Sequence, residues 1–246
     1  MVKKIYVSPS DQTKNTYAAG NTNENDQCEG IASALVLALQ RCGFEARTNL
    51  SASMADRVRE GNAWNSDLYV AVHTNAFNEE VTGTRIFSYD LKGEGYKAAK
   101  AVFDILAPIT PGTSENIKAR PELYEVRNSK APCVYIEVDF HDVDEVALWI
   151  IENKTEIAEA IAEGICNYFG MNYKAGKESD EMRYKTLGDL KADKNFGGAY
   201  LPTVEKLMDK GILKGKGGEG DETVIDLGED AIRVLVILDR AGQFGE

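Results

Sequence analysis

Short apolar runs that are typical of strands alternate with helical patterns along most of this chain, and this alternation restricts the possible folds more than any other feature. It extends from Lys3 to about Phe169. The run Leu68–Val72 is apolar without interruption, which is typical of a strand buried on both faces of a sheet. The pattern predicts an α/β fold: a doubly wound, mostly parallel sheet flanked by helices.

The expected elements follow from the same periodicity. Gly43 is expected to end the first helix, and Ser53 to cap the second. We expect strands at residues 5–7, 44–48, 68–72, 82–89 and 133–138, and helices at about 24–41, 53–63, 95–106, 143–151 and 155–169.

The chain is expected to divide after this α/β region. Apolar density falls after Gly170, and the polar stretch from Tyr173 to Glu181 is typical of a linker. We expect a first domain over residues 1–174, followed by the linker and a small, mainly helical C-terminal module over 175–246. Helical patterns cover 202–210 and 229–240. A module of about 60 residues buries only a small core, so it is expected to dock on the first domain, on a second copy or on a ligand.

Composition excludes several classes of function. The chain has 246 residues and a net charge of −12, which argues against phosphate-mediated binding of nucleic acid and against an anionic membrane surface as a partner. No apolar stretch approaches the roughly 20 residues of a membrane span. The N-terminal residues contain no signal-peptide h-region. We therefore expect synthesis in the cytoplasm, with any action outside the cell following release by another route.

The four cysteines do not suggest a disulfide framework. Cys28 and Cys42 lie on one predicted helix, about 21 Å apart by helical rise, which is too far for a disulfide. Cys133 and Cys166 lie in apolar patterns and are expected to be core thiols.

The two histidines of the chain both follow apolar runs that predict strands. His73 follows residues 68–72, and His141 follows residues 133–140, a run that contains Glu137. Ligands of an open α/β sheet collect beyond the carboxyl ends of its strands, so these imidazoles are candidate metal ligands or proton carriers. The alternative for each is a hydrogen-bonded histidine at a strand end. The presence of two histidines with a carboxylate in the same region favours the functional interpretation.

Glu24 is a further candidate on the first predicted helix. Positions 24, 28, 31, 35, 38 and 42 form one stripe, and all of them except Glu24 are apolar or thiol residues. A carboxylate at the first turn of a buried face is costly unless something satisfies it, and a metal ion does so well. The alternative is that Glu24 complements the helix dipole, which contributes under about 1 kcal/mol.

Residues 3–170 resemble the zinc-dependent N-acetylmuramoyl-L-alanine amidases, in the subgroup of phage endolysins and clostridial wall hydrolases. The most specific motif is the strand that ends in His73-Thr74-Asn75-Ala76. The other matching residues are Glu24 ahead of Ile31-Ala32, Arg57, Asn62, Gly83-Thr84, and the run from Pro132 to Phe140. The resemblance implies that Glu24 and His73 are zinc ligands and that Glu137 is the catalytic carboxylate. It also implies that peptidoglycan is the substrate, cleaved between N-acetylmuramic acid and L-alanine.

One departure from the family affects the metal site. The family carries an Asp-Pro-Gly-His-Gly-Gly segment after the first strand, with a zinc-binding histidine, whereas this chain has Ser8-Pro9-Ser10-Asp11-Gln12. A catalytic zinc commonly has three protein ligands, so another residue must supply the third. We expect His141 to do so, and Asp11 and Gln12 are the local alternatives.

The remaining assignments concern substrate and partners. Asn75 and Arg127 are candidate substrate-binding residues; Arg127, like Arg120, could face an anionic stem peptide or simply be solvated. The C-terminal module resembles C-terminal segments of clostridial and phage-type wall hydrolases, and both wall attachment and self-association as a homodimer are open for it. Two other functions remain open: a non-catalytic peptidoglycan-binding protein on a degenerate amidase fold, and a metallopeptidase that cuts within the stem peptide.

Overall fold

The computed structural model describes residues 2–112, 116–176, 183–194, 197–240, 242 and 244–245. The chain forms two compact units, Met1–Gly176 and Lys177–Glu246. Their boundary lies next to the one expected at residue 174. Residues 177–182 of the predicted linker region lie outside the described residues.

The first unit is a doubly wound α/β domain, as predicted. Its sheet has the order β2-β1-β3-β6-β4-β5, in which β2, β1, β3 and β6 are parallel and β4 runs antiparallel to β6. The strands are β1 (Lys4–Pro9), β2 (Glu45–Arg47), β3 (Leu68–Asn75), β4 (Arg85–Ser88), β5 (Asn116–Ala119) and β6 (Cys133–Phe140). The helices are α1 (Glu24–Arg41), α2 (Met54–Ala63), α3 (Glu94–Leu106), α4 (Tyr124–Asn128), α5 (Asp144–Glu152) and α6 (Lys154–Phe169).

Local sequence explains the helix ends next to the site. The Asn23 side chain caps α1 by accepting a hydrogen bond from the backbone N–H of Asp26. Gly43, with φ of +97°, follows the end of that helix and adopts a conformation that a Cβ disfavours. The Ser53 side chain caps α2, as predicted. The sequence pattern did not predict β5 or α4, because both are short and their apolar residues form no clear period.

The pleat of the strands separates two apolar faces. One face packs on α1, α3 and α6 and includes Val7, Val72 and Ile136. The other face includes Tyr69 and Tyr135 and is covered by α2 and α4. Since side chains alternate along a strand, His73 and Glu137 follow the tyrosines of this second face.

A buried arginine joins the end of β1 to the chain before α2. The side chain of Arg57 is fully buried. Its Nη2 donates to the Pro9 carbonyl oxygen at 2.6 Å, and its Nε donates to Ser8 Oγ at 3.1 Å. Its Nη1 donates to the Ala52 carbonyl oxygen. Arg57 therefore fixes the backbone from which the candidate site is built.

The second unit has its own apolar core. It contains β7 (Arg183–Thr186), α7 (Leu187–Ala192), α8 (Gly197–Asp209), a 3-10 turn (Gly220–Glu222), β8 (Val224–Gly228) and α9 (Glu229–Arg240), with β7 antiparallel to β8. Helices α8 and α9 cover both helical patterns of the sequence. Tyr184, Leu190, Val204 and Ile232 are buried in its core. Across the described parts of both units, the helices are too short or too polar to cross a membrane.

Replacing Arg57 by Met is expected to destabilise the first unit by about 3 kcal/mol or more, because it leaves the buried acceptors of its three hydrogen-bonding nitrogens without a donor. The matched control is Arg59→Met on the same helix. The Arg59 side chain is 68% exposed and pairs only with Asp56 among the contacts described, so we expect a change within about 0.5 kcal/mol. Urea denaturation of the metal-free proteins measures both. Equal effects of the two substitutions would contradict the structural role of Arg57.

Candidate active site

The candidate site lies at the carboxyl ends of β1, β3 and β6, on the face covered by α2 and α4. Glu24 is the first residue of α1, reached by the loop that follows β1. His73 lies within β3, one residue beyond the strand end expected from the sequence, and it is paired in register with Glu137 of β6. Two of the predicted residues are therefore side by side on neighbouring strands.

His73 is held between two carboxylates. It is 3% exposed; its Nδ1 lies 3.0 Å from Glu24 Oε1 and its Nε2 lies 3.0 Å from Glu125 Oε2. Tyr135 stacks on the imidazole, with 4.3 Å between ring centroids. Burial by itself lowers the pKa of His73, but the hydrogen bonds to Glu125 and Glu24 outweigh it and raise this pKa to about 10. In the metal-free protein both ring nitrogens therefore carry protons at neutral pH.

Glu24 is buried and ionised. Burial raises its pKa, but the hydrogen bonds from His73 and Asn15 outweigh burial and hold this pKa below its usual value. Asn15 Nδ2 donates to Glu24 Oε2 at 2.8 Å, and Gln12 Nε2 donates to Glu24 Oε1 at 3.3 Å. The structure thus brings Glu24 and His73 together, with the local alternative Gln12 beside them.

Glu137 differs from these carboxylates in its surroundings. Its Oε2 is buried and has no hydrogen-bond partner among the described atoms. Burial raises the pKa of Glu137 from 4.5 to about 8, although the charge of His73 opposes the shift. A carboxyl group with a pKa near neutral is suited to accept and return a proton.

His141 has different partners. Its Nδ1 lies 2.8 Å from Thr74 Oγ1, its ring stacks on Tyr17 with 4.8 Å between centroids, and burial lowers its pKa. Among the described residues, no group of three His, Cys, Asp or Glu side chains is arranged to hold a metal ion. The role of His141 as third ligand therefore stays a prediction.

Sequence reasoning missed Glu125, which is on α4 and is fully buried. Its Oε1 accepts hydrogen bonds from Ser8 Oγ at 2.6 Å and from the Tyr69 hydroxyl at 3.0 Å, while Oε2 faces His73. The available signal was a glutamate among Leu123, Tyr124 and Val126, directly ahead of a buried strand. Without α4 in the expected fold, nothing placed this carboxylate beside His73.

A pocket of about 310 Å³ opens onto His73. It is lined by Asp11, Gln12, Met54, His73, Leu123, Tyr124, Glu125 and Tyr135. Of the predicted substrate-binding residues, Arg127 is exposed and lines another pocket of about 480 Å³, with Asp90 and Lys130. The carbonyl oxygen of Asn75 accepts from the His141 backbone N–H at 2.8 Å. The structure does not place Arg127 in the pocket of His73.

A family model described as N-acetylmuramoyl-L-alanine amidase matches residues 5–167, which is more than half of the chain and includes the whole of this site. The chain belongs to this amidase family. The predicted family is therefore confirmed, and members of the family are peptidoglycan hydrolases.

Solved amidase structures share this fold. The amidase AmiC2 of Nostoc punctiforme matches with a TM-score of 0.62 and 22% identity, covering 68% of this chain and 97% of that chain. The catalytic domain of the amidase CwlV from Bacillus (Paenibacillus) polymyxa matches with a TM-score of 0.63 and 16% identity, covering 70% and 100%.

An uncharacterised protein of Clostridium perfringens is 26% identical over 197 residues, covering 75% of this chain. The matched region spans 58% of that protein's length.

The pKa of Glu137 predicts a pH dependence of stability in this protein. Because the folded protein keeps a proton that the unfolded chain loses between pH 4.5 and about 8, ionisation of Glu137 lowers the free energy of unfolding as pH rises through this window. Glu137→Gln removes that contribution. With a chelator present, we expect the stability of Glu137→Gln to rise relative to the native protein from pH 5 to 8 in urea denaturation. Parallel pH profiles of the two proteins would contradict the raised pKa.

Proposed function

We propose that this chain hydrolyses the amide bond between N-acetylmuramic acid and L-alanine in peptidoglycan. The observation that carries the proposal is the placement of Glu24, His73 and Glu137 at one end of the sheet, within a domain of the amidase family. Two of these groups are charged and hydrogen-bonded, and the third is a half-buried carboxyl with a pKa near neutral. Such a separation of pKa values is typical of acid and base assignments in active sites.

Glu24 and His73 fit a zinc ion as two of its ligands. A carboxylate oxygen and an imidazole nitrogen are usual zinc donors, and here they face each other at 3.0 Å. The imidazole of His73 would have to lose a proton to hold the metal. We propose His141 as the third ligand. The alternatives are Gln12, which donates to Glu24, and Asp11, which lines the pocket of His73. When bound, zinc lowers the pKa of water and polarises a carbonyl group.

Glu137 performs the proton transfers in this proposal. Its unpartnered Oε2 accepts a proton from the attacking water and then gives it to the leaving amine of L-alanine. The half-buried carboxyl is suited to both steps because its pKa of about 8 lies close to neutral pH. Tyr135, stacked on His73, restricts the imidazole while the substrate enters the pocket.

One observation favours a second candidate, a peptidoglycan-binding protein without catalysis. In place of the family's first histidine, the chain provides Gln12, and the amides of Gln12 and Asn15 donate to Glu24. These donors satisfy the carboxylate even when no metal is bound. The zinc content of the purified protein and its hydrolytic activity distinguish the two functions.

For the second unit we propose a role in concentrating the enzyme on the wall, or in holding two copies together. It has its own apolar core, so its contribution is separable from the chemistry of the first unit. A tethered module raises the local concentration of an enzyme without contacting the reacting groups. We further propose that the protein acts on the cell wall after release from the cytoplasm.

Digestion of purified peptidoglycan is expected to release stem peptides with a free L-alanine N-terminus, detected by mass spectrometry. Cleavage within the stem peptide would instead indicate a metallopeptidase.

Glu137→Gln is expected to reduce the rate of peptidoglycan hydrolysis by about 10²- to 10⁴-fold, because Gln cannot take up the water proton. Its zinc content should remain that of the native protein. The control Glu156→Gln changes an exposed carboxylate on α6 and should keep full activity; near-normal turnover by Glu137→Gln would remove Glu137 from the mechanism.

A protein shortened to residues 1–176 is expected to cleave soluble muropeptides at the native rate and intact walls more slowly. The reason is that every strand and helix around the site lies within the first unit. Parallel assays on soluble fragments and on sedimented walls measure the two rates. If the shortened protein aggregates or cannot cut soluble fragments, the second unit is part of the catalytic fold.

A further inference from the structure

We propose that a basic strip beside Glu137 binds carboxylate groups of the stem peptide, and thereby selects acidic peptidoglycan and fixes the direction in which the substrate crosses the site. The basic strip consists of Arg85 on β4, Lys118 on β5 and Arg120, which directly follows β5. The inference rests on the proposed function and adds to it the part of the substrate that lies beyond the cleaved bond.

Strand register places the basic strip on the same face of the sheet as the site. Arg85 is paired with Glu137 across β4 and β6, and Phe87 is paired with Tyr135. Lys118 is paired with Phe87 across β4 and β5. Paired residues of neighbouring strands have their side chains on one face, with Cβ atoms about 5 Å apart in an antiparallel pair. The basic strip therefore begins one strand from Glu137 and extends to the edge strand of the sheet.

A series of ring contacts connects Arg120 to the pocket of His73. The ring centroid of Tyr135, which lines that pocket, lies 4.3 Å from that of His73 and 6.0 Å from that of Phe87. The guanidinium carbon of Arg120 lies 5.2 Å from the Phe87 ring centroid. The carbonyl oxygen of Arg120 accepts from the backbone N–H of Leu123, which also lines the pocket. The basic strip is therefore continuous with the wall of the pocket.

The surroundings of the two arginines suit a carboxylate ligand. Arg85 is half-buried, and its guanidinium carbon lies 4.8 Å from the Phe140 ring centroid. A guanidinium that rests on an aromatic ring has its fork of N–H donors in a defined orientation, which matches the planar carboxylate group. Arg120 forms an ion pair with Glu122, but their side chains are 43% and 59% exposed. Such exposed ion pairs contribute little to stability, so a carboxylate of the substrate can compete for Arg120.

The charge of the basic strip is opposite to that of the protein as a whole, which is −12. The positions of β4 and β5 on this face are basic, aromatic or amide residues: Arg85, Phe87, Asn116 and Lys118. Burial raises the pKa of Glu137, and the positive charges of Arg120 and Arg85 oppose this shift, so their electrostatic effect reaches the site. A positive surface beside the site of an acidic protein favours an anionic group of the substrate.

The order of groups across the sheet gives the direction of the substrate. Glu24 and His73 lie on α1 and β3, Glu137 lies on the next strand, β6, and the basic strip follows on β4 and β5. In the proposed reaction Glu137 gives a proton to the leaving amine of L-alanine. The peptide that continues from this L-alanine therefore extends over the basic strip, and the N-acetylmuramic acid lies towards β3 and β1.

Two synthetic muropeptides test the basic strip. One has free carboxyl groups in its stem peptide, and the other has the same groups converted to amides. We measure kcat and KM of the full chain in the presence of zinc, and expect the native protein to prefer the acidic muropeptide by about 10-fold or more in kcat/KM. Arg120→Gln and Arg85→Gln are each expected to lower this preference by about 5- to 20-fold, mainly through KM, since the strip contacts groups away from the cleaved bond.

Two further variants separate charge from packing. Arg120→Lys keeps the positive charge and is expected to retain a preference between those of Arg120→Gln and the native protein. The matched control is Lys100→Gln, which removes a positive charge from an exposed ion pair with Asp104 on α3, the helix that covers the opposite face of the sheet. It should keep native kcat and KM on both muropeptides.

Equal kcat/KM of the native protein on the two muropeptides would overturn the basic strip and leave the proposed function intact. A native preference that both arginine variants retain in full would do the same. If these variants fail to fold, as judged by circular dichroism, the native preference is measured between about 0.05 and 0.5 M salt, where attraction between charges weakens. A preference that does not fall with salt then contradicts the basic strip.

A native protein that cleaves neither muropeptide would overturn the proposed function instead. The affinities of the two muropeptides, measured by isothermal titration calorimetry, then test the basic strip separately. Tighter binding of the acidic muropeptide, lost in Arg120→Gln, would support it, and equal affinities would overturn it.

Discussion

A buried chain of charged and hydroxyl groups connects the elements on which the site is built. Arg57 on α2 donates to Ser8 on β1, Ser8 donates to Glu125 on α4, and Glu125 and Glu24 hold the two nitrogens of His73 on β3. Positive and negative groups alternate along this chain, which limits the cost of burying them. If His73 were lost, Glu24 and Glu125 would each lose the hydrogen-bond partner on its ring.

The two carboxylates Glu24 and Glu137 differ in protonation state because they differ in the hydrogen-bond donors around them. Glu24 receives hydrogen bonds from an imidazole and two amides, which outweigh burial and favour its ionised form. Glu137 lies on β6 beside His73 of β3, but its Oε2 has no partner among the described atoms. Burial therefore dominates the pKa of Glu137. Charge is thus concentrated on the groups suited to holding a cation, while a protonatable carboxyl remains beside them.

Membership of the amidase family and the departures from its motif are compatible in this structure. The segment Ser8–Gln12 lacks the expected histidine, yet Ser8 and Gln12 both contact the site: Ser8 through Glu125, and Gln12 through Glu24. The end of β1 therefore still contributes to the pocket, with hydroxyl and amide groups in place of an imidazole. The zinc affinity of the purified protein measures whether those groups complete a zinc site.

The sequence by itself determined the α/β class, the end of α1 at Gly43, the Ser53 cap of α2 and the candidates Glu24, His73 and Glu137. Each of these depends on short-range periodicity or on a local motif: the unbroken run that becomes β3, Gly43 after α1, the Ser53 cap, and the His-Thr-Asn-Ala segment. Only the tertiary structure decided the partners of these residues. Glu125 lies 52 positions from His73 in sequence, and His141 forms a hydrogen bond with the Thr74 hydroxyl. Such contacts depend on how the strands pair and which helix covers each face of the sheet. Local sequence periodicity does not specify either of these long-range arrangements.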